Sequence, residues 1–114
     1  MRNAWLKRVA VGGLILGAAC SPPKPRVASL TPEEANALLH YNPKAETWMI
    51  HVKKQDPSCE YRLDLPDQTS QPTTIDLDHI VLCNNRPSPK EFDAAVSFAY
   101  DAQAQKWVIT RFSD

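Results

Sequence analysis

Glu46-Thr47-Trp48-Met49-Ile50-His51-Val52-Lys53 is the stretch whose reading decides the fold. Trp48, Ile50 and Val52 alternate with Thr47, Met49, His51 and Lys53, a period of two that reads as a half-buried strand. The residues that follow repeat the pattern more cleanly. Gln55-Asp56-Pro57-Ser58 makes a turn, after which Cys59, Tyr61, Leu63 and Leu65 take the inner face and Glu60, Arg62 and Asp64 the outer. That phase puts Cys59 on the core side.

Toward the N-terminus the signals change to those of a helix from Leu30 to Tyr41. Thr31 suits the N-cap, Pro32 the first helical position, and Glu34 completes a Thr-x-x-Glu capping box. Leu30 can staple onto Ala35, and Ala35, Leu38 and Leu39 form a narrow apolar stripe. Asn42-Pro43 stops the helix, because the residue before a proline is pushed out of helical conformation.

Toward the C-terminus Pro66 to Pro72 reads as an exposed loop, and Thr73 to Cys83 as extended chain whose phase slips. Ile75 and Leu77 share one parity, Ile80 and Leu82 the other. A bulge near Asp78-His79, or a strand apolar on both faces, accounts for that. Asn84 to Pro89 is a loop. Ser88-Pro89-Lys90-Glu91 is a second capping box, yet Val96, Phe98 and Tyr100 alternate and Trp107-Val108-Ile109-Thr110 is β-rich. A single helical turn near Pro89 followed by a hairpin with a polar loop, Asp101 to Gln105, fits best; a second helix from Pro89 to about Gln105 is the alternative. The expected class is α+β: one N-terminal helix on an antiparallel sheet of four to five strands, spanning residues 30–114.

The first nineteen residues are of another kind. Arg2, Lys7 and Arg8 form a positive flank without an acidic residue, and Val9 to Ala19 is uncharged and mostly apolar. That run is about half of the roughly 20 apolar residues a membrane-crossing helix needs. A basic flank, a short apolar core and a small-residue exit make a secretory signal peptide. Its exit, Leu16-Gly17-Ala18-Ala19-Cys20, resembles the lipobox of bacterial lipoproteins, with leucine four residues ahead of the cysteine. The resemblance covers residues 1–21. It implies a diacylglyceryl thioether on Cys20, cleavage just before that residue, and often acylation of the freed amine. Ser21, a residue other than Asp, implies outer-membrane sorting in the enterobacterial manner. An ordinary signal peptide cut after Ala19 is the competing reading. Ser21 to Ser29, with three prolines, reads as an extended tether of at most about 3.1 Å per residue. The expected organisation is signal peptide 1–19, lipidated cysteine and tether 20–29, and domain 30–114.

Composition narrows the function. Without residues 1–19 the chain has 95 residues, 10 basic and 13 acidic, a net charge of −3. A mildly acidic domain gives no footprint for nucleic acid or acidic lipid. All three glycines, Gly12, Gly13 and Gly17, lie in the leader. Phosphate loops, dinucleotide fingerprints and the nucleophile elbow, which need glycine at set places, are therefore excluded from the remainder. Backbone positions with positive φ must fall on residues such as Asn84, Asn85 and Asp101. With Cys20 lipidated, Cys59 and Cys83 are left as an even pair outside the cytoplasm, and one disulfide is expected. Their spacing is not that of a redox-active Cys-x-x-Cys.

Candidate sites each have a plainer reading. Asp76, Asp78 and His79, with His40 or His51, could be imagined around a metal, but closely spaced ligand pairs are missing and no metal is expected. No spacing among the 13 carboxylates selects a catalytic pair, and no serine sits in a nucleophile context. Lys53-Lys54 reads as a solvated strand end. Trp48, Trp107, Tyr61, Tyr100 and Phe98 read as core. The function expected is a lipid-anchored envelope protein, on the outer membrane and facing the periplasm. It would present a non-enzymatic binding or scaffolding domain to another envelope protein, with no cofactor, small-molecule ligand or nucleic acid. The alternative is an inhibitor of a periplasmic or exogenous hydrolase, its Pro-rich loop Asn84–Pro89 plugging an active site.

Overall fold

The computed structural model describes residues 26–114. The leader, Cys20 and residues 21–25 lie outside the described residues. The described residues are α+β, with two helices, six short strands in two antiparallel sheets of three, and one disulfide.

The first helix, α1 (Pro32–Tyr41), starts as its capping residues dictate. The Thr31 hydroxyl oxygen accepts from the Glu34 N–H at 3.1 Å, and Pro32 opens the helix where no N–H is needed. Leu30, Ala35 and Leu39 are buried and Leu38 is half-buried, so the apolar stripe is the packed face.

A second helix, α2 (Pro43–Gln55), occupies the stretch that alternation assigns to a strand. This corrects the expected single helix. Asn42 closes α1 with its backbone N–H and opens α2 with its side chain, Oδ1 accepting from the Ala45 N–H at 3.0 Å. Pro43 thus stands at a first helical position as well as after a helix end. Once Ala45 is counted, Ala45, Trp48, Met49 and Val52 fall at i, i+3, i+4 and i+7 on one face. Ala45 and Val52 are fully buried, whereas Ile50, which the strand pattern places inside, is 54 % exposed. Lys53 and Lys54 sit in the last turn, where cations complement the helix dipole. They end a helix, not a strand.

Six strands replace the expected four or five, and they form two sheets. In the first, β1 (Glu60–Tyr61) pairs with β3 (Val81–Cys83), which pairs with β4 (Arg86–Pro87). In the second, β2 (Thr74–Leu77) pairs with β5 (Ala95–Asp101), which pairs with β6 (Lys106–Ser113). The phase slip in residues 73–83 is the passage between sheets. The chain leaves one ladder at Leu77, turns at His79 (φ 56°) and enters the other at Val81. It is neither a bulge nor a strand apolar on both faces. Cys59 to Leu65 does alternate in burial as its sequence requires, although its ladder is confined to β1.

The last segment is a helical turn, Lys90–Phe92, followed by the β5–β6 hairpin. Val96, Phe98 and Trp107 face the core. Each such side chain taken from water is worth about 1.5–3 kcal/mol. The ladder steps from Ser97↔Arg111 to Phe98↔Ile109, so Thr110 is an extra residue on β6. The Trp107 indole N–H donates to the Ala28 carbonyl at 2.7 Å and binds the incoming chain to this hairpin.

With no glycine available, left-handed turns fall on other residues. Asn84 (φ 55°) and Asn85 (φ 59°) form the two-residue link between β3 and β4, the geometry that favours asparagine. Asp101 instead accepts from the N–H groups of Gln103 and Ala104 at 3.0 and 3.1 Å, and Gln105 (φ 53°) takes the left-handed place in that loop.

Candidate functional site

Reading residues 46–53 as a strand hides a concave surface that α2 helps to form. A groove of 370 Å³ runs between α1, α2 and β1. Leu39, Met49, Ile50 and Tyr61 supply apolar surface, and Asn36, His40, Glu46, Lys53 and Glu60 supply polar groups of both signs. The helices come together because Asn42 alone separates them, which forces a sharp reversal. Tyr61 is fixed by two contacts. Its hydroxyl donates to the Ala45 carbonyl at 2.7 Å, and its ring meets Phe112 edge-on with centroids 6.0 Å apart. Burial, and after it the charge of Asp114, pushes the Tyr61 phenol well above the usual tyrosine range. Tyr61 therefore stays a neutral donor in this wall. Tyr41 stands 80 % exposed at the end of α1. The groove residues escape notice in the sequence because they become neighbours only when residues 46–53 are helical. The legible signal was Asn42-Pro43 followed by Ala45, Trp48, Met49 and Val52 at helical spacing.

The second surface is convex. The tip Asn84-Asn85-Arg86-Pro87 is exposed throughout. Its stem carries the Cys59–Cys83 disulfide, the expected pairing, with Cys59 fully buried and Cys83 7 % exposed. The Asn84 N–H donates to the Ser58 hydroxyl oxygen at 3.0 Å, and the Ser88 N–H to the Val81 carbonyl at 3.1 Å. Such a tip loses little freedom on meeting a partner.

The imagined metal cluster is not assembled. Among the described residues, the group of three His, Cys, Asp or Glu side chains close enough to hold an ion is Asp56, Cys59 and Cys83, and its sulfurs are joined to each other. Asp76 sits on β2 opposite Ser97. His79 instead pairs its Nδ1 with Asp93, whose other oxygen accepts from the Ala94 N–H at 2.9 Å. The Asp93 hydrogen bond, then its charge, holds the His79 imidazole above its usual value. His40 lines the groove, and His51 lies apart, its ring 5.3 Å from that of Trp48. Of the aromatic side chains expected inside, Phe98 and Trp107 are core, while Trp48, Tyr61 and Tyr100 are half-buried. Among the described residues no helix is long and apolar enough to cross a membrane. No family model, curated protein or solved structure matches the chain, so its functional reading rests on its residues and their geometry.

Proposed function

We infer that this is a lipid-anchored cell-envelope protein, held by acyl chains on Cys20, whose small domain binds another envelope protein without catalysing a reaction. The observation that carries the reading is Leu16-Gly17-Ala18-Ala19-Cys20 behind a basic flank and a short apolar run. Two or three acyl chains, at about 0.8 kcal/mol per buried CH₂, anchor a protein firmly where a single chain does not. The Cys59–Cys83 bond is consistent with an oxidising compartment. The groove between α1 and α2, with apolar residues between polar ones, is the binding surface favoured. Residues 20–29 tether the domain to the membrane, and the outer membrane is the location Ser21 favours.

Mass spectrometry of the native product tests the anchor. Loss of residues 1–19 with a lipid mass on Cys20 is expected; a free Cys20 thiol or an intact leader overturns it. A photo-crosslinking residue at Ile50, irradiated in intact cells, should join the protein to one envelope partner, while the same probe at Asp101 should not.

The rigid tip supports a second reading, inhibition of a hydrolase, because Asn84 and Cys83 are both tied to the turn before β1. Loss of a hydrolase's activity on mixing, relieved by Arg86→Ala, would favour it over the groove.

A further inference from the structure

The groove between the helices has an order along its length. From α2 it is lined by Glu46, Met49, Ile50 and Lys53, which fall at i, i+3, i+4 and i+7 and so form one stripe of that helix, roughly 10 Å long. From α1 it is lined by Asn36, Leu39 and His40 at i, i+3 and i+4, and from β1 by Glu60 and Tyr61. Two apolar residues of the α2 stripe thus stand between an anion at one end and a cation at the other. The stripe is not the packed face of α2: Ala45 and Val52 are fully buried there, whereas Ile50 is 54 % exposed. Among the described residues the ion pairs are Arg62–Asp64 and His79–Asp93, so Glu46, Lys53 and Glu60 have no partner of opposite charge.

Both helical walls present side chains at every third or fourth residue. A third helix laid along them meets that spacing with its own side chains, whereas an extended segment turns every second side chain away. Met49, unbranched and adaptable, suits such a contact. Direction follows from charge. Glu46 lies in the first turn of α2 and Lys53 in the last, as the helix dipole favours. The same preference acts on an incoming helix, with acid toward its start and base toward its end. Laid antiparallel to α2, it brings its acid to Lys53 and its base to Glu46. Laid parallel, it sets like charges together at both ends.

We propose that the groove seats a two-turn amphipathic helix of the partner protein, antiparallel to α2, its acidic residue on Lys53 and its basic residue on Glu46. Two apolar residues between them pack on Leu39, Met49, Ile50 and Tyr61. Glu60 makes the groove's carboxylates outnumber its lysine, which favours a further basic group on the occupant. Rim charges of this kind set orientation and partner choice, and the apolar centre supplies the affinity. The inference names the kind of partner segment, and it rests on the groove, not the Asn84–Pro87 tip, being the binding surface.

The full chain, in a zwitterionic detergent, is titrated against two fluorescent helical peptides of identical composition, and anisotropy is read. One peptide carries glutamate, two leucines and lysine at i, i+3, i+4 and i+7; the other exchanges the two charges. The same hydrocarbon staple on the opposite face of each keeps their helix content alike. The first should bind about tenfold more tightly, by a margin that shrinks as salt rises. Glu46→Lys/Lys53→Glu should reverse the preference, with circular dichroism reporting that the fold is kept. Ile50→Asp, at an exposed position, should abolish binding of both peptides without disturbing the fold. Absence of binding, equal binding of the two peptides, a preference unchanged by exchanging the protein's charges, or binding indifferent to Ile50→Asp overturns the proposal. If a crosslink at Ile50 captures an envelope partner while the peptides fail, the helical occupant falls and the groove's role stands; if no crosslink forms, the groove reading itself falls.

Discussion

The side chain of Gln68 behaves as a strand partner for Leu30, 38 positions away. Its Oε1 accepts from the Leu30 N–H at 2.7 Å, and its Nε2 donates to the Leu30 carbonyl at 3.0 Å. Leu30 is buried, so neither backbone group has ready access to water. A loop that reads as merely exposed therefore holds the entrance to α1. Gln68→Ala should cost about 1–3 kcal/mol, because buried polar groups are left without partners. Gln68→Glu keeps one bond and loses the other, and should fall between. Urea unfolding of the three proteins checks the order.

Asn42 serves two helices at once, and its replacement should show it. Asn42→Ala removes the acceptor for the Ala45 N–H and should lower stability by about 1 kcal/mol. Asn42→Ser or Asn42→Asp, which keep a capping oxygen, should recover most of it. Thermal unfolding followed by circular dichroism measures both.

The disulfide closes a loop with a sequence separation of 24. Chain-entropy reasoning puts its stabilisation at roughly 3 kcal/mol. The Cys59→Ala/Cys83→Ala variant should be less stable than the oxidised protein by about that amount. Equal urea midpoints would contradict a structural role.

His79 and Asp93 should make stability depend on pH. The Asp93 hydrogen bond raises the His79 pKa in the folded state. Folding is therefore favoured by protonated His79. That contribution is fully present below the unfolded value, near 6.5, and is lost as pH rises through the folded one. The charge of Asp78 adds a smaller push in the same direction, and Lys90 and Asp114 line the same pocket. NMR titration should find His79 titrating above a free histidine, and Asp93→Asn should bring it down. His79→Asn, which tolerates the left-handed backbone, should flatten the pH dependence in this window.

Tyr61 should resist alkali. Its raised pKa means that the unfolded chain loses the phenolic proton first, so stability falls as pH rises past about 10. Absorbance titration should show one tyrosine ionising well above the others, and Tyr61→Phe should remove it. The same substitution should cost about 0.5–1.5 kcal/mol at neutral pH through the lost bond to the Ala45 carbonyl.

What the residues alone determined were features whose causes are local. Thr31, Pro32 and Glu34 specify the start of α1 through groups within one turn of each other. Asn84 and Asn85 carry positive φ, as asparagine accepts it, although the expected loop Asn84–Pro89 includes the short strand Arg86–Pro87. Alternation at Val96, Phe98 and Tyr100, beside a polar loop, specifies the terminal hairpin. Cys59 and Cys83 form the expected disulfide. Only the tertiary structure decided the state of residues 46–53, since the same apolar residues satisfy a period of two and a period of 3.6 almost equally well. Burial breaks that tie: Ala45 and Val52 bury completely with α2 set between α1 and β1, and Ile50 is left outside. The division into two sheets has a like cause, because a strand records only which face is apolar, not which neighbour covers it. The groove follows from both choices, and no contiguous stretch of sequence contains it.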